Sequence, residues 1–206
     1  MVRTSVIRCC KGESVELRFM VDKQFIPTAR GPVVLTRAEP GELDLVLDML
    51  EEAARWQFAR GIDQWRPGCF KRGPFQAPIA ERIAQGAVYL ASQDGEALGT
   101  ITLQWNDPMD TKLWDHILPR RDAGYIHRLA IRRACAGLGV GRCLLRWAEQ
   151  AMLDLGKRYA RLDCMATNGA LCAYYERAGY VCRGEVQGNG WEARLYERQL
   201  QDNVSS

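Results

Sequence analysis

Three glycines at alternate positions separate a strand-like apolar run from a long amphipathic run, and this arrangement constrains the fold more than any other feature. In chain order these are residues 125–131, the glycines 137, 139 and 141, and a predicted helix over 138–155. Glycine allows tight turns and lets a ligand approach the backbone closely. The first N–H groups of a helix have no internal partners, and the helix dipole adds about half a positive charge at that end. The segment therefore predicts a site for an anion such as a pyrophosphate, although a plain turn between strand and helix has the same pattern.

Two kinds of nucleotide cofactor fit such a turn. A Rossmann fold would bind a dinucleotide, and Asp163 follows the glycines by roughly 20 residues, where an acidic ribose contact of that fold lies. Against this, Arg142 stands where the third glycine of a G-x-G-x-x-G motif belongs, and only one strand–helix–strand unit follows. An NAD-dependent oxidoreductase is therefore the weaker hypothesis, and coenzyme A is the other ligand that fits.

The rest of the chain alternates short strands with helices. Hydrophobic periodicity predicts strands at 33–35, 87–92, 98–105, 125–131, 159–165, 180–186 and 192–197, and helices at 40–60, 78–85, 138–155 and 169–177. An Asp-Gly pair at 94–95 predicts a hairpin, and 106–122 is predicted to be a long loop. The pattern predicts an α/β domain with a mixed sheet of about six or seven strands and about four flanking helices. We assign this domain to residues 32–200, with an N-terminal extension at 1–31, including a possible strand at 14–21, and a tail at 201–206.

Composition narrows the class of protein. The 206 residues carry a formal net charge of +3 with interspersed signs, which argues against nucleic acid as a partner. None of the eight cysteines forms a C-x-x-C pair and only two histidines are present, so no metal site is expected. No signal peptide is evident, and no apolar stretch approaches the about 20 residues of a membrane helix. We therefore expect a cytoplasmic protein with free thiols and no membrane partner.

Two motifs carry a family resemblance. Gly139-Val140-Gly141 matches the second half of a [Gln/Arg]-x-x-Gly-x-[Gly/Ala] pattern, with Ala136 at the Gln/Arg position as a departure. Asn168 precedes by seven residues the segment Tyr175-Glu-Arg-Ala-Gly-Tyr180. Both motifs, at this separation and in this order of elements, resemble the GNAT superfamily of N-acetyltransferases from Val33 to Glu197.

The resemblance implies an acetyl-CoA-dependent N-acetyltransferase in which an amine attacks the thioester directly in a ternary complex. It implies a gap beside strand 125–131 that takes the cofactor. The cofactor residues implied are Leu129, Ala130, Ile131, Ala136, Gly137, Leu138, Gly139, Val140, Gly141, Arg142 and Asn168. Tyr175 matches the general acid that protonates the leaving thiolate, although it also lies in an apolar helical stripe typical of a core.

The general base and the acceptor are less constrained. The position of the family's glutamate base is Tyr125 here, and His127 shares its strand face, so we expect His127 or a water chain to an acidic residue such as Asp122 to act as base. Acceptor-binding candidates are Trp56, Asp63, Trp65 and Tyr125. The partner expected is a small-molecule or peptide amine, and a homodimer is possible. A non-catalytic acetyl-CoA sensor is the alternative within the same resemblance.

Overall fold

Eight β-strands and five α-helices make up the part of the chain that the computed structural model describes, residues 23–28, 31–105, 108–119, 121–188 and 190–201. The strands are β1 (Lys23–Ile26), β2 (Val33–Arg37), β3 (Val88–Gln93), β4 (Glu96–Gln104), β5 (Ala123–Ile131), β6 (Tyr159–Met165), β7 (Val181–Gly188) and β8 (Trp191–Gln199). The helices are α1 (Leu43–Phe58), α2 (Gln76–Ala84), α3 (Pro108–Asp115), α4 (Val140–Asp154) and α5 (Gly169–Arg177). The predicted α/β class with a mixed sheet is confirmed.

The strands form one sheet in the order β1-β2-β3-β4-β5-β6-β8-β7. The β5–β6 pair is parallel, and the other pairs in the described sheet are antiparallel. The strand β1 lies within residues 1–31 and was not predicted, while the possible strand at 14–21 lies outside the described residues. The longer α-helices pack on both sides of the sheet. In the described part of the chain, no helix is long and apolar enough to cross a membrane.

Alternating side chains of β3 show how the two cores arise. Val88 and Leu90 pack with α1 and α2, whereas Tyr89 and Ala91 pack with α4 and α5. Because successive residues of a strand point to opposite faces, a wholly apolar strand joins both layers. In the strand order, β4 and β5 lie at the centre of the sheet, with helices packed on both of its faces.

The sheet opens between β5 and β6. The two strands pair only at their beginnings, the last pair being Tyr125 with Arg161, although β5 continues to Ile131 and β6 to Met165. Beyond Tyr125 the backbone edge of β5 therefore has no ladder partner on β6 among the described residues. Such an edge can hydrogen-bond an extended ligand.

An irregularity in β5 lies at the same level. Thr100 pairs with Ala130 and Thr102 pairs with His127, so two steps along β4 match three steps along β5. The extra residue marks a β-bulge, and Arg128 within it has a φ of +48°. The bulge brings neighbouring side chains of β5 toward the same side of the opening.

The prediction of a long loop over 106–122 is wrong. Residues Pro108–Asp115 form α3, because proline is tolerated in the first turn of a helix and Trp114 is anchored in the core at 1% exposure. The helix covers the beginning of β5, where Trp114 packs with Tyr125 and Leu195. It carries an acidic side chain, Asp110, over the opening between β5 and β6.

Candidate active site

The glycine turn before α4 has the geometry of an anion site. Gly137 and Gly139 both have a φ of +80°, a left-handed conformation that other residues rarely adopt. A Cβ at either position would have no neighbour within 4 Å, so open space lies outside the turn. The first helical hydrogen bond runs from the Cys143 N–H to the Gly139 carbonyl at 3.0 Å, and the N–H groups of residues 140–142 precede it. The turn thus fits the diphosphate of a CoA thioester.

Gly141 has a different reason to be glycine. A Cβ there would lie 3.1 Å from Tyr174 Oη and 3.5 Å from Ile131 Cγ1. The absence of a side chain lets the start of α4 lie close to the end of β5. That contact holds the helix N-terminus against the opening in the sheet.

A groove of about 450 Å³ runs from the turn along the free edge of β5. Nine of the eleven residues predicted to bind the cofactor line it, namely Leu129, Ala130, Ile131, Ala136, Gly137, Gly139, Val140, Gly141 and Arg142. The predicted cofactor residues therefore come together at one surface, long enough for an extended ligand.

The two remaining cofactor candidates lie elsewhere. Leu138 packs against the hydrophobic core, and its N–H donates to the Cys135 carbonyl at 3.4 Å. Asn168 is 4% exposed; its Oδ1 accepts the Leu171 N–H at 3.2 Å and its Nδ2 donates to Gln64 Oε1 at 3.3 Å. The Asn168 side chain caps α5 and does not line the groove, so its expected pantetheine contact stays a prediction.

The arginines before the turn are held by α1. Glu52 accepts a hydrogen bond from Arg132 Nη1 and another from the Arg133 N–H, both at 2.7 Å. The Arg133 guanidinium lies 3.7 Å from the centre of the Trp56 ring, and both residues line the groove. Trp56, predicted on the acceptor side, lines this groove, because its helix faces the glycine turn.

A second cavity of about 240 Å³ lies beside the groove. Its walls combine aromatic side chains with charged ones, and they include Trp65, Phe70, Phe75, His127, Arg128 and Asp163. It shares Gln57, Trp65, Leu129, Leu171 and Tyr175 with the groove. The two spaces therefore meet at the opening between β5 and β6, as two substrates of one reaction require.

His127 is paired with α3. Its Nε2 lies 2.9 Å from Asp110 Oδ2, and Asp110 is only 4% exposed. Burial acts to lower the pKa of His127, but the hydrogen bond and negative charge of Asp110, helped by Asp163, outweigh it, so the pKa lies above its ordinary value. The carboxylate also fixes the orientation of the imidazole, as in other histidine–carboxylate pairs that move protons.

Asp163 of β6 lines the same cavity from the opposite strand. Burial raises the pKa of its carboxyl, and the neighbouring Asp110 adds to this, while His127 and Arg128 oppose it. An acidic group in this cavity provides a partner for an ammonium ion. Sequence reasoning considered Asp163 only as a ribose contact.

Tyr175 borders both spaces at 6% exposure. Its ring packs against Tyr174, Tyr180 and Tyr196 at centroid distances of 5.5, 6.0 and 6.0 Å. Burial raises the pKa of its phenol above the ordinary value of 10.0, so the hydroxyl keeps its proton at neutral pH. The tyrosine thus packs in the core and also borders both spaces, where a protonated hydroxyl is available.

Two acceptor candidates lie outside the second cavity. Asp63 accepts a hydrogen bond from Arg66 at 3.2 Å at the surface and does not line the cavity, whereas its neighbour Gln64 does. Tyr125 is 5% exposed and packs under α3, because it occupies the last paired position of β5 before the opening. Of the four acceptor candidates, Trp65 is the one that lines the second cavity.

A buried arginine anchors α3 over the site. Arg161 and Glu197 are both 0% exposed, and Arg161 Nε donates to Glu197 Oε2 at 2.9 Å. Arg161 Nη2 also donates to the Leu118 carbonyl at 2.6 Å, and its Cζ lies 4.1 Å from the Trp114 ring centre. These contacts fix both α3 and the segment after it, and so hold Asp110 against His127.

Sequence reasoning missed Asp110 and Arg128 as site residues. The apolar spacing of Leu113, Trp114 and Ile117 was the available signal for a helix at Asp110. No comparable local signal marks Arg128, since the bulge that directs it depends on pairing with β4.

Comparison with known proteins agrees with the geometry. The profile of the Acetyltransferase (GNAT) family matches residues 47–180. The chain is 31% identical over 163 residues to the uncharacterized N-acetyltransferase YesJ of Bacillus subtilis (strain 168), covering 77% of this chain and 86% of that protein. The dinucleotide hypothesis has no support in these matches.

Solved structures show the same architecture. A GNAT-family acetyltransferase of Listeria monocytogenes 4b F2365 superimposes with a TM-score of 0.70 at 26% identity, covering 86% of this chain and all (100%) of that one. The protein yncA of Salmonella typhimurium, solved with its cofactor acetyl-CoA, shares the fold with a TM-score of 0.59 at 13% identity, covering 84% of this chain and 97% of that one. With the glycine turn, the splayed strands and the family match in agreement, this chain belongs to the GNAT acetyltransferase family.

Proposed function

We propose that this enzyme transfers the acetyl group of acetyl-CoA to the primary amine of a small molecule, by direct attack while both substrates are bound. The observation that carries the proposal is the junction of the two cavities at Trp65, Leu129 and Tyr175. A cofactor thioester at the end of the groove and an amine in the second cavity would meet there without an intermediate carrier on the protein. The volume of about 240 Å³ favours a small amine over a peptide.

The groove supplies binding and charge stabilisation. The diphosphate lies at the glycine turn and the N-terminus of α4, where backbone N–H groups and the helix dipole favour an anion. The edge of β5 at Leu129–Ile131 pairs with the extended arm of the cofactor. A backbone N–H aimed at the thioester oxygen stabilises the negative charge that develops there during attack.

His127 serves as the general base in this proposal. An amine at neutral pH carries a proton that must leave before the nitrogen can attack, and neutral imidazole accepts it. The Asp110 carboxylate 2.9 Å away stabilises the imidazolium that forms. Asp163 faces the same cavity and holds the incoming ammonium.

Tyr175 serves as the general acid. When the amine nitrogen bonds to the acetyl carbon, the carbon–sulfur bond breaks and the thiolate takes the phenolic proton. The raised pKa of Tyr175 keeps that proton in place until negative charge develops on the sulfur. The proposal includes a cytosolic location, which the free thiols of the six described cysteines support.

A thermal-shift panel with acetyl-CoA, free CoA, NAD and NADP tests the cofactor part of the proposal. We expect both CoA species to raise the melting temperature and the nicotinamide dinucleotides to leave it unchanged. Release of the CoA thiol with a panel of amines then tests transfer. Stabilisation by acetyl-CoA without thiol release from any amine would favour the non-catalytic sensor, and stabilisation by NAD alone would overturn the proposal.

A further inference from the structure

A cation lies on the wall of the second cavity, which is the acceptor cavity of the proposed function. Arg128 lines the cavity together with Asp163 and His127. An amine arrives as an ammonium ion, so Asp163 is a natural partner, whereas Arg128 repels it. The repulsion is offset when the acceptor itself carries an anionic group that the guanidinium binds.

The backbone is shaped to bring Arg128 to this position. In a regular strand Arg128 would point away from the face that carries His127. The β-bulge instead lets the four consecutive residues 126–129 contribute to one cavity, and it holds Arg128 at a φ of +48°. A positive φ is unfavourable for a residue other than glycine, and such conformations cluster at functional sites.

The remaining walls define the rest of the acceptor. Trp65 and Phe70 meet edge to face at 5.2 Å, and Phe75 lies 5.6 Å beyond. The Arg128 Cζ lies 5.8 Å from the Phe75 ring centre, so the cation stands beside the aromatic wall. The cavity of about 240 Å³ lies just below the range of about 300 to 1,000 Å³ that is typical of small-molecule sites. An acceptor of this size has an amine, an anion and one apolar side chain.

We propose that the acceptor is a small amino acid with an apolar side chain, its carboxylate bound by Arg128 and its ammonium by Asp163. A planar guanidinium matches a carboxylate with two parallel hydrogen bonds, which makes Arg128 a specificity-determining residue. The inference rests on the proposed transferase function. The ammonium loses one proton to His127, the nitrogen bonds to the acetyl carbon, the carbon–sulfur bond breaks, and the thiolate takes a proton from Tyr175. The second proton of the acylated nitrogen returns to the Tyr175 phenolate and the first leaves His127 for solvent, giving an N-acetylamino acid and CoA.

Matched pairs of acceptors test the proposal with the wild-type enzyme. Phenylalanine with phenethylamine, leucine with 3-methylbutylamine, and methionine with 3-(methylthio)propylamine differ in each pair by the carboxylate alone. We expect kcat/KM, measured by CoA thiol release, to be about 10- to 100-fold higher for the amino acid of at least one pair, the range of a charged hydrogen bond.

Variants then assign the preference to Arg128. Arg128→Gln is expected to lower kcat/KM for the amino acids until the ratio within each pair is close to one, and Arg128→Lys to retain part of it. Arg66 is an exposed arginine next to Trp65 that does not line the cavity, and Arg66→Gln should leave the ratio unchanged.

The outcomes separate this inference from the function on which it rests. Equal turnover of both members of every pair by the wild-type enzyme would overturn the inference and leave the transferase function standing. An equal loss for both members in both Arg128 variants would also overturn it, since the arginine would then act structurally. Thiol release from none of the six compounds would refute the inference, and a wider amine panel would then decide the fate of the proposed function.

Discussion

Replacing Tyr175 with phenylalanine separates the two roles that the structure gives this residue. The substitution removes one hydroxyl and keeps the ring, whose neighbours lie at centroid distances of 5.5 to 6.0 Å. The packing of α5 against β8 is therefore retained. Removal of the hydroxyl alone should therefore change the free energy of unfolding by no more than about 1 kcal/mol, which shifts the melting temperature of a chain of this size by at most about 2 to 4 °C.

The expected effect on catalysis is larger than the effect on stability. General acids contribute between about 100- and 10,000-fold, and a thiolate is a fair leaving group, which favours the lower end. We therefore expect kcat of Tyr175→Phe to fall about 100-fold, equivalent to about 2.7 kcal/mol in the activation free energy. Because the pKa of Tyr175 is raised above 10.0, the wild-type hydroxyl stays protonated, and the ratio of the two rates should not change between neutral pH and pH 9.

The neighbouring tyrosine provides a matched control. Tyr174 lines the cofactor groove, and its hydroxyl oxygen is buried without a hydrogen-bond partner in the described structure. Tyr174→Phe should therefore leave both stability and kcat nearly unchanged. Steady-state thiol release gives kcat, and calorimetry gives the Kd of acetyl-CoA, which should be the same in all three proteins. Unchanged kcat in Tyr175→Phe, or an equal loss in Tyr174→Phe, would remove Tyr175 from the mechanism.

Three further changes test the turn, the histidine pair and the anchor of α3. Gly139→Ala forces a side chain into a positive φ at the diphosphate and should weaken acetyl-CoA binding about 10-fold by calorimetry. Gly156, at the other end of α4, has a φ of +73°, so Gly156→Ala is the matched control. Equal weakening in the control would contradict a local role for Gly139. Asp110→Asn removes the charge that raises the pKa of His127. Burial and Arg128 still lower that pKa, and Asp163 still raises it. The acid limb of kcat/KM, at which the base loses its proton, should therefore move to lower pH, and an unmoved limb would exclude this histidine as base. Glu197→Gln leaves the arginine paired with it buried without its counter-ion and should cost about 3 to 5 kcal/mol, so a melting temperature lowered by less than about 6 °C would show that the pair is dispensable.

Turns, helices and strands were predicted well from the sequence. The Asp94-Gly95 hairpin, the helix at Gly169–Arg177 and the strand at Tyr159–Met165 lie where hydrophobic periodicity and turn residues predict them. These signals are local, because a turn or a helix face needs only residues within a few positions of one another. The same reason explains why nine predicted cofactor residues, most of them in one turn, line one groove.

Most side chains predicted on the acceptor side lie outside the second cavity. Asp63 and Tyr125 have the chemistry of acceptor residues, but one pairs with Arg66 at the surface and the other lies under α3. Asn168 satisfies the family motif, yet its amide caps a helix. Residue type alone does not determine whether a side chain faces a cavity, the solvent or a helix end.

By itself the sequence determined the α/β layout and the glycine turn, since each depends on spacing along the chain, while the resemblance of its two motifs to a family implied the cosubstrate. Only the tertiary structure decided which charged groups surround the proposed acceptor site, because these groups lie on three separate elements, α3, β5 and β6. Asp110 lies 17 residues before His127 and reaches it only through α3, which Arg161 holds down. Asp163 faces the histidine because β5 and β6 separate after Tyr125, and Arg128 joins them because β5 bulges against β4. Separation and bulge are properties of strand pairing, which couples residues far apart in sequence and leaves little trace in either strand alone.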